Sequence, residues 1–273
     1  MKMTKEYVNK IINTDILEFI PFLENNSIDA IITSPPYNYN REYDNYNDSL
    51  SSFQHLEFLT TVFSSLFNKL KVGGRLIINL MPNYKDYFPL HVYLINSLLN
   101  NGYLFRNEII WNKNNYGCKY TTWGSWCKPS APYMKVTWEY VYVLCKGTRV
   151  KKKERGESDL SPDEFKEWTK AMWNVAPERE MKKWGHPAMF PEELVRRLIK
   201  LFTWKNDLIL DPFNGVGTTT KVAAELGRRF IGVDISEKYC LKALRRTGEV
   251  FPEVIYFPNI QSFVRGDRDE QEE

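Results

Sequence analysis

Cysteine and histidine are scarce in this chain. Four cysteines and three histidines occur in 273 residues, and no two cysteines form a C-x-x-C pair. A zinc centre is unsupported by that spacing, and a disulfide framework is unsupported in a reducing compartment. Cys118, Cys127, Cys145 and Cys240 are expected to be packed or semi-exposed thiols. Long apolar runs are missing too: none approaches the about 18–20 residues that cross a bilayer. The first residues, Met1-Lys-Met-Thr-Lys-Glu, lack the apolar segment of a secretory signal. The expectation is a cytoplasmic chain with no membrane contact. Charge of one sign is also weak, at a net +3, so the overall balance does not by itself point to nucleic acid. Finally, neither G-x-G-x-x-G nor G-x-x-x-x-G-K-[ST] is present, which removes support for a dinucleotide or nucleoside triphosphate site.

What is present is a core. Hydrophobic residues make up 43% and aromatics 15%, which excludes a disordered chain. Local charge is uneven. The tail Gly266-Asp-Arg-Asp-Glu-Gln-Glu-Glu is acidic, whereas Arg149-Val-Lys-Lys-Lys-Glu-Arg is cationic. Lys113, Lys119, Lys128, Lys135 and Lys146 share the region of the cationic run, a pattern suited to phosphate contact.

Strand and helix patterns alternate. Residues 9–20 read as a short strand, then Asp15, then a helical turn. Ile28–Thr33 is a β-branched strand. Leu56, Leu59, Val62, Phe63, Leu66, Phe67 and Leu70 are spaced for a helix over Phe53–Lys71, with Gly73-Gly74 expected to stop it. Arg75–Leu80 reads as a strand, Leu90–Asn100 as a helix closed by Asn101-Gly102, and Tyr103–Trp111 as a strand. Asn38–Ser49 is polar and carries Tyr39, Tyr43 and Tyr46. From Asn112 the periodicity fades, with Trp123, Trp126, Pro129, Pro132 and Tyr133, before a strand-like Val136–Cys145. Ser161-Pro162-Asp-Glu164 forms a capping box with proline first. His186-Pro-Ala-Met-Phe-Pro-Glu-Glu opens a further helix. Alternating strands and helices imply an α/β fold, doubly wound around a mostly parallel sheet.

Two motifs carry chemistry. Ser34-Pro35-Pro36-Tyr37 follows the strand Ile28–Thr33. Two prolines there remove backbone donors and fix φ, so carbonyls and one aromatic face are presented at the strand's carboxyl end. Those groups suit a planar exocyclic amine. Far downstream, Leu208-Ile-Leu-Asp-Pro-Phe-Asn-Gly-Val-Gly-Thr reads as strand, Gly-rich turn and helix, followed by a strand ending at Asp234. Gly215 and Gly217 permit tight geometry. Asp234 is placed to accept from ribose hydroxyls. Asp211 beside the loop disfavours a pyrophosphate and favours a cationic ligand.

The pair resembles the S-adenosylmethionine-dependent DNA amino-methyltransferases, with the catalytic [D/N/S]-P-P-[Y/F/W] ahead of the cofactor D-P-F-x-G-x-G-T, as in their β class. The likeness covers roughly residues 9–111 and 184–248. It implies a seven-stranded Rossmann-like methyltransferase sheet with one antiparallel strand and an inserted target-recognition region. It implies Ser34, Pro35, Pro36 and Tyr37 as the catalytic set. Asp15, Asp211, Pro212, Phe213, Gly215, Gly217, Thr218, Asp234 and Phe190 are implied to hold S-adenosylmethionine, and no metal is implied. Asp15 and Asp234 could instead cap helices, Phe213 could be plain core, and Phe190 with Pro191 could simply start a helix. Residues 1–111 would form the catalytic part, 112–185 the target-recognition region, 186–250 the cofactor part and 251–273 a tail segment.

Within the family it resembles, Ser at the first motif position goes more often with N4 of cytosine and Asp with N6 of adenine, so the resemblance implies N4 of a cytosine in duplex DNA, flipped out of the helix. N6 of adenine, an RNA or protein-glutamine amine, and a non-catalytic DNA-binding module remain as alternatives. No cysteine lies beside the prolines, so carbon-5 methylation lacks its nucleophile. Double-stranded DNA is the implied partner. The resemblance leaves open a cognate restriction endonuclease acting on the same site, and a monomer or a homodimer.

Overall fold

A computed structural model of the chain describes residues 4–38, 49–82, 87–113, 124–134, 136–152, 156–248 and 254–256. Tyr39, Tyr43, Tyr46, Cys118, Lys119, Trp123, Lys135 and the acidic tail lie outside the described residues.

The chain order is β1 (Lys10–Asn13), α1 (Ile16–Phe19), β2 (Ile28–Thr33), α2 (Ser52–Phe67), β3 (Leu70–Leu80), α3 (Leu90–Asn100) and β4 (Tyr103–Asn112). It continues through β5 (Trp138–Lys146), α4 (Pro162–Trp168), β6 (Met172–Asn174), α5 (Met181–Trp184) and α6 (Glu192–Phe202). It ends with β7 (Leu208–Asp211), α7 (Thr218–Glu225), β8 (Arg229–Asp234), α8 (Glu237–Thr247) and β9 (Val254–Tyr256).

The strands form one nine-stranded sheet in the order β6-β4-β5-β3-β2-β7-β8-β1-β9. Among the described strands of this sheet, only β5 runs antiparallel to its neighbours. The resemblance implies seven strands. The two additional ones, β6 and β9, are three-residue strands that extend the edges. Side chains alternate cleanly between two layers. Ile31, Leu76, Ile78, Leu210 and Ile231 face a core built with α1, α2 and α3. Ala30, Ile32, Ile77, Ile209 and Phe230 face a core built with α6, α7 and α8.

Local chemistry explains several boundaries. Ser51 and Gln54 form a capping box that starts α2, and Ser161 and Glu164 form one that starts α4 with Pro162 in its first turn. The glycine pair behaves otherwise than expected. The helix ends at Phe67, and Gly73-Gly74 lies inside β3, because Leu70 already pairs with Ile28. Gly73 has φ 78°, and an added Cβ there would meet the Val150 carbonyl at 2.6 Å. The glycine thus absorbs the register shift between Ile28 and Ala30.

The described part of the cationic run, residues 149–152, is placed differently from a DNA-facing stripe. Arg149 donates to the Phe105 carbonyl, and Lys151 pairs with Asp207 at 2.7 Å. Both sit at the end of the sheet where β2 and β7 begin, away from Ser34. Strand β5, drawn from within 112–185, is an inner strand of the sheet.

The strand order reverses between the parallel neighbours β2 and β7. From β2 the sheet grows toward β3, and from β7 toward β8 and β1. Such a switch point leaves a crevice at the strands' carboxyl ends. The two strands pair through Ala30 with Ile209 and Ile31 with Leu210. A buried aspartate closes this seam at each end. Thr33 Oγ1 donates to Asp211 Oδ1 at 2.7 Å, and Leu208 N donates to Asp29 Oδ2 at 2.9 Å.

Candidate active site

The loop after β2 and the loop after β7 open onto one cleft. The space between them, counted out into open solvent, is about 970 Å³. Ser34, Pro35, Pro36 and Tyr37 line one side. Asp15, Phe190, Pro212, Phe213, Gly215, Thr218 and Asp234 line the rest. No cysteine among the described residues lines it.

Each residue's local role is visible. Asp15 caps α1, accepting from Leu17 N at 2.7 Å, and still faces the cleft. Asp234 is not a helix cap; Ser236 caps α8. The Asp234 carboxylate accepts from Gly215 N at 2.7 Å and from Ser236 N at 2.9 Å, tying the Gly-rich loop to the end of β8. Phe213 packs between Phe58 and Phe63 with ring centroids at 5.9 and 6.2 Å, so it is both core and wall. Phe190 is buried at the cleft beside Met189, ahead of α6, which begins at Glu192 with Pro191 as its cap.

Two expected residues do not line the cleft. Gly217 opens α7 at φ 80°, and a Cβ there would meet the Ala243 Cβ at 2.7 Å, so its task is close packing on α8. Asp211 is 2% exposed and faces inward, holding Thr33 and the Phe213 N–H. Burial pushes its carboxyl up to about 6, against the lowering effect of hydrogen bonds from Thr219, Thr33 and Phe213 N. A group so enclosed steadies the loop and does not offer a charge to a ligand.

That shift has a stability consequence. A carboxyl raised on folding binds protons more tightly in the native state, so its contribution falls as pH rises from about 4 to about 6. Asp211→Asn keeps an oxygen for Thr33 and Phe213 and removes the charge. Denaturant titrations should show the variant losing less stability than the parent between pH 4 and 7, by up to about 3 kcal/mol. Parallel pH profiles for the two proteins would contradict the buried, elevated carboxyl.

Several cleft residues are not marked by the sequence reading. His186 lies over Gly215, where an added Cβ would meet its Nε2 at 2.8 Å. Burial pushes its imidazole down to about 4, with Lys242 and Arg246 adding to the effect, so it is neutral at pH 7. Its Nδ1 accepts from Ala188 N at 3.2 Å, which leaves the ring proton on Nε2. Tyr239 packs on it at 4.8 Å between ring centroids. Behind Tyr37, Asn79 and Glu139 form a buried polar group with Lys113. Their signal is present as polar residues in apolar strands, Leu76-Ile-Ile-Asn79-Leu and Trp138-Glu139-Tyr-Val-Tyr-Val. The string His186-Pro-Ala-Met-Phe-Pro reads, by itself, only as a helix start.

Comparison with known proteins bears on this arrangement. The profile of the N6/N4 family, described as DNA methylase, matches residues 28–245, a span that includes both loops. The chain belongs to the N6/N4 DNA methylase family. This methylase is 35% identical over 170 residues to the type II methyltransferase M.MjaVI of Methanocaldococcus jannaschii, covering 62% of this chain and 86% of that one. It is 29% identical to the type II methyltransferase M.BglII of Bacillus subtilis, covering 94% of this chain and 74% of that one. Among solved structures, TTHA0409 of Thermus thermophilus, complexed with S-adenosyl-L-methionine, superposes with a TM-score of 0.70 at 27% identity, over 90% of this chain and 96% of that one. The PvuII DNA methyltransferase shares the fold, with a TM-score of 0.67 at 20% identity, over 86% of this chain and 85% of that one.

The methylase uses S-adenosylmethionine, and the cleft fits it. Asp234 stands at a strand end beside a Gly-rich turn, and Phe213, Phe190 and Tyr239 supply apolar walls. Among the described residues no group of His, Cys, Asp and Glu is placed to hold a metal ion. No described helix is long and apolar enough to cross a membrane.

Proposed function

We propose that this methylase transfers a methyl group to the N4 amine of a cytosine flipped out of duplex DNA. The observation that carries the reading is the shared cleft, in which Ser34 and the Gly-rich loop face a common space.

Bound S-adenosylmethionine supplies a methyl group on a sulfonium. Asp234 would accept from its ribose hydroxyls, Asp15 would face its adenine amine, and Phe190, Phe213, Pro212, Gly215 and Thr218 would enclose it. The protein's task is then the amine. Its lone pair is delocalised into the base and must be localised to attack. Ser34 Oγ and the Pro35 carbonyl would accept the two amine hydrogens, which turns the lone pair out of the ring plane. Tyr37 would stack on the base. The choice of cytosine rests on Ser34 at the first motif position, since in the family this chain resembles Ser goes more often with cytosine N4 and Asp with adenine N6. The amine is not open to in-line attack within a stacked duplex, so the base must leave the helix.

Target reading is assigned to the part of 112–185 that is not strand or packed helix, chiefly 113–137. That segment follows β4 at Asn112 and precedes β5 at Trp138, at the same end of the sheet as Ser34. Its described stretch, 124–134, exposes Trp126, Tyr133 and Met134. Exposed aromatics and Lys128 give it groups for stacking and phosphate contact.

Nucleoside mass spectrometry of DNA from cells expressing the chain tests the base assignment. N4-methylcytosine is the expected product. N6-methyladenine would move the activity to the other amine, and label confined to RNA or protein would overturn the DNA reading. The sequence context of the modified base, read in the same samples, would give the recognition site.

A further inference from the structure

A serine hydroxyl can donate or accept, and methyl transfer needs Ser34 to accept. The side chains behind it decide which it does. Ser34 Oγ lies 2.9 Å from Tyr37 Oη, and the geometry of that contact allows either to donate. Tyr37 Oη in turn lies 2.9 Å from Glu139 Oε2. A carboxylate only accepts. The single phenol proton is thereby committed to Glu139, and the Ser34 proton is left to run toward Tyr37. One lone pair of Ser34 accepts from Asn79 Nδ2 at 3.4 Å, and the other is left to face outward.

The other contacts of Glu139 hold this direction. Lys113 Nζ pairs with Oε1 at 2.6 Å, with the Glu139 side chain 3% exposed. Asn79 Nδ2 donates to Oε2 at 2.5 Å and lies 3.1 Å from Tyr37 Oη and 3.4 Å from Ser34 Oγ. Turning the Asn79 amide over would set its oxygen against the carboxylate. The amide keeps its present orientation although its Oδ1 is then buried with no hydrogen-bond partner among the described residues. Stacking on a base requires only the ring of Tyr37, which leaves its hydroxyl to serve this second task. A buried ion pair adds little to stability by itself.

We propose that Glu139 is a positioning residue that acts through Tyr37 to fix Ser34 as a hydrogen-bond acceptor for the target amine. The inference rests on the amine-methylation reading above. Glu139 touches neither substrate nor cofactor. Its effect belongs in kcat, because the orientation it imposes matters when the amine must be held for attack.

The test is a double-mutant cycle on the full chain with Ser34→Ala as a reference. Tyr37→Phe keeps the ring and the Glu139 to Lys113 pair. Glu139→Gln keeps the shape and introduces a donor toward Tyr37. Each should lower kcat by roughly tenfold to a hundredfold. The Kd for S-adenosylmethionine and the KM for DNA should stay within about threefold, since Tyr37→Phe keeps the stacking ring and Glu139 does not line the cleft. The double variant should fall no further than the worse single one. A merely structural Glu139 would instead lower Tm and give losses that multiply, and that result overturns the proposal. Wild-type kcat in Tyr37→Phe overturns it as well, and decides the matter should Glu139→Gln fail to fold. If Ser34→Ala is inactive while the other two variants match the parent, the methylation reading stands and this inference falls. If Ser34→Ala retains full turnover, both fall.

Discussion

Ser34→Ala should lose at least about a hundredfold in kcat while its affinity for S-adenosylmethionine stays within about twofold. The substitution deletes one oxygen at the end of β2 and leaves the Gly-rich loop and Asp234 untouched. The amine would keep the Pro35 carbonyl as one acceptor but lose the other, and its lone pair would relax back into the ring. Single-turnover assays with labelled cofactor give the chemical step, and a separate titration gives the cofactor Kd. A variant with parental turnover would remove Ser34 from the reaction. A variant that is inactive because the cofactor no longer binds would point to a collapsed loop.

Asp234→Ala should raise the Kd for S-adenosylmethionine by roughly tenfold to a hundredfold, as expected for lost hydrogen bonds to a charged group. Two effects add here. The ribose contact goes, and the Gly215 N–H loses its carboxylate at 2.7 Å, which loosens the loop that shapes the pocket. Binding to duplex DNA should change by less than about threefold, because the residues assigned to DNA lie on other loops. Calorimetric titration with the cofactor and an independent DNA-binding assay separate the two. Unchanged cofactor affinity would contradict the assigned contact.

Part of this is legible in the sequence because the chemistry involved is local. The bounds of Ile28–Thr33 and Leu90–Asn100 agree between sequence and structure, as β-branched residues running into prolines and helical spacing closed by Asn-Gly are short-range signals. The Ser161-Pro-Asp-Glu164 box is likewise self-contained. What the sequence hides is set by distant partners. Asp211 reads as a charge offered to a ligand, because nothing near it in sequence announces Thr33, which arrives from 178 positions away. Gly217 reads as a ligand-approach glycine, whereas its constraint is Ala243 on a later helix. Glu139 and Asn79 are single polar letters within apolar strands, and only the pairing of β3 with β5, which sets Asn79 near Glu139, gives them a joint purpose. The strand over Val136–Cys145 is legible in the sequence, but the boundary at residue 112 hides that β5 is an inner strand, because its pairing with β3 joins segments far apart in the chain.

The seam between β2 and β7 has a consequence for how donor and acceptor are spaced. Two register pairs, with a buried aspartate at either end, fix one strand against the other. A slip of one residue would displace one loop by about 3.3 Å relative to the other and turn its side chains to the opposite face. The gap that a methyl group must cross is therefore ruled by main-chain rungs, a gauge built into the sheet itself and independent of how any surface loop closes.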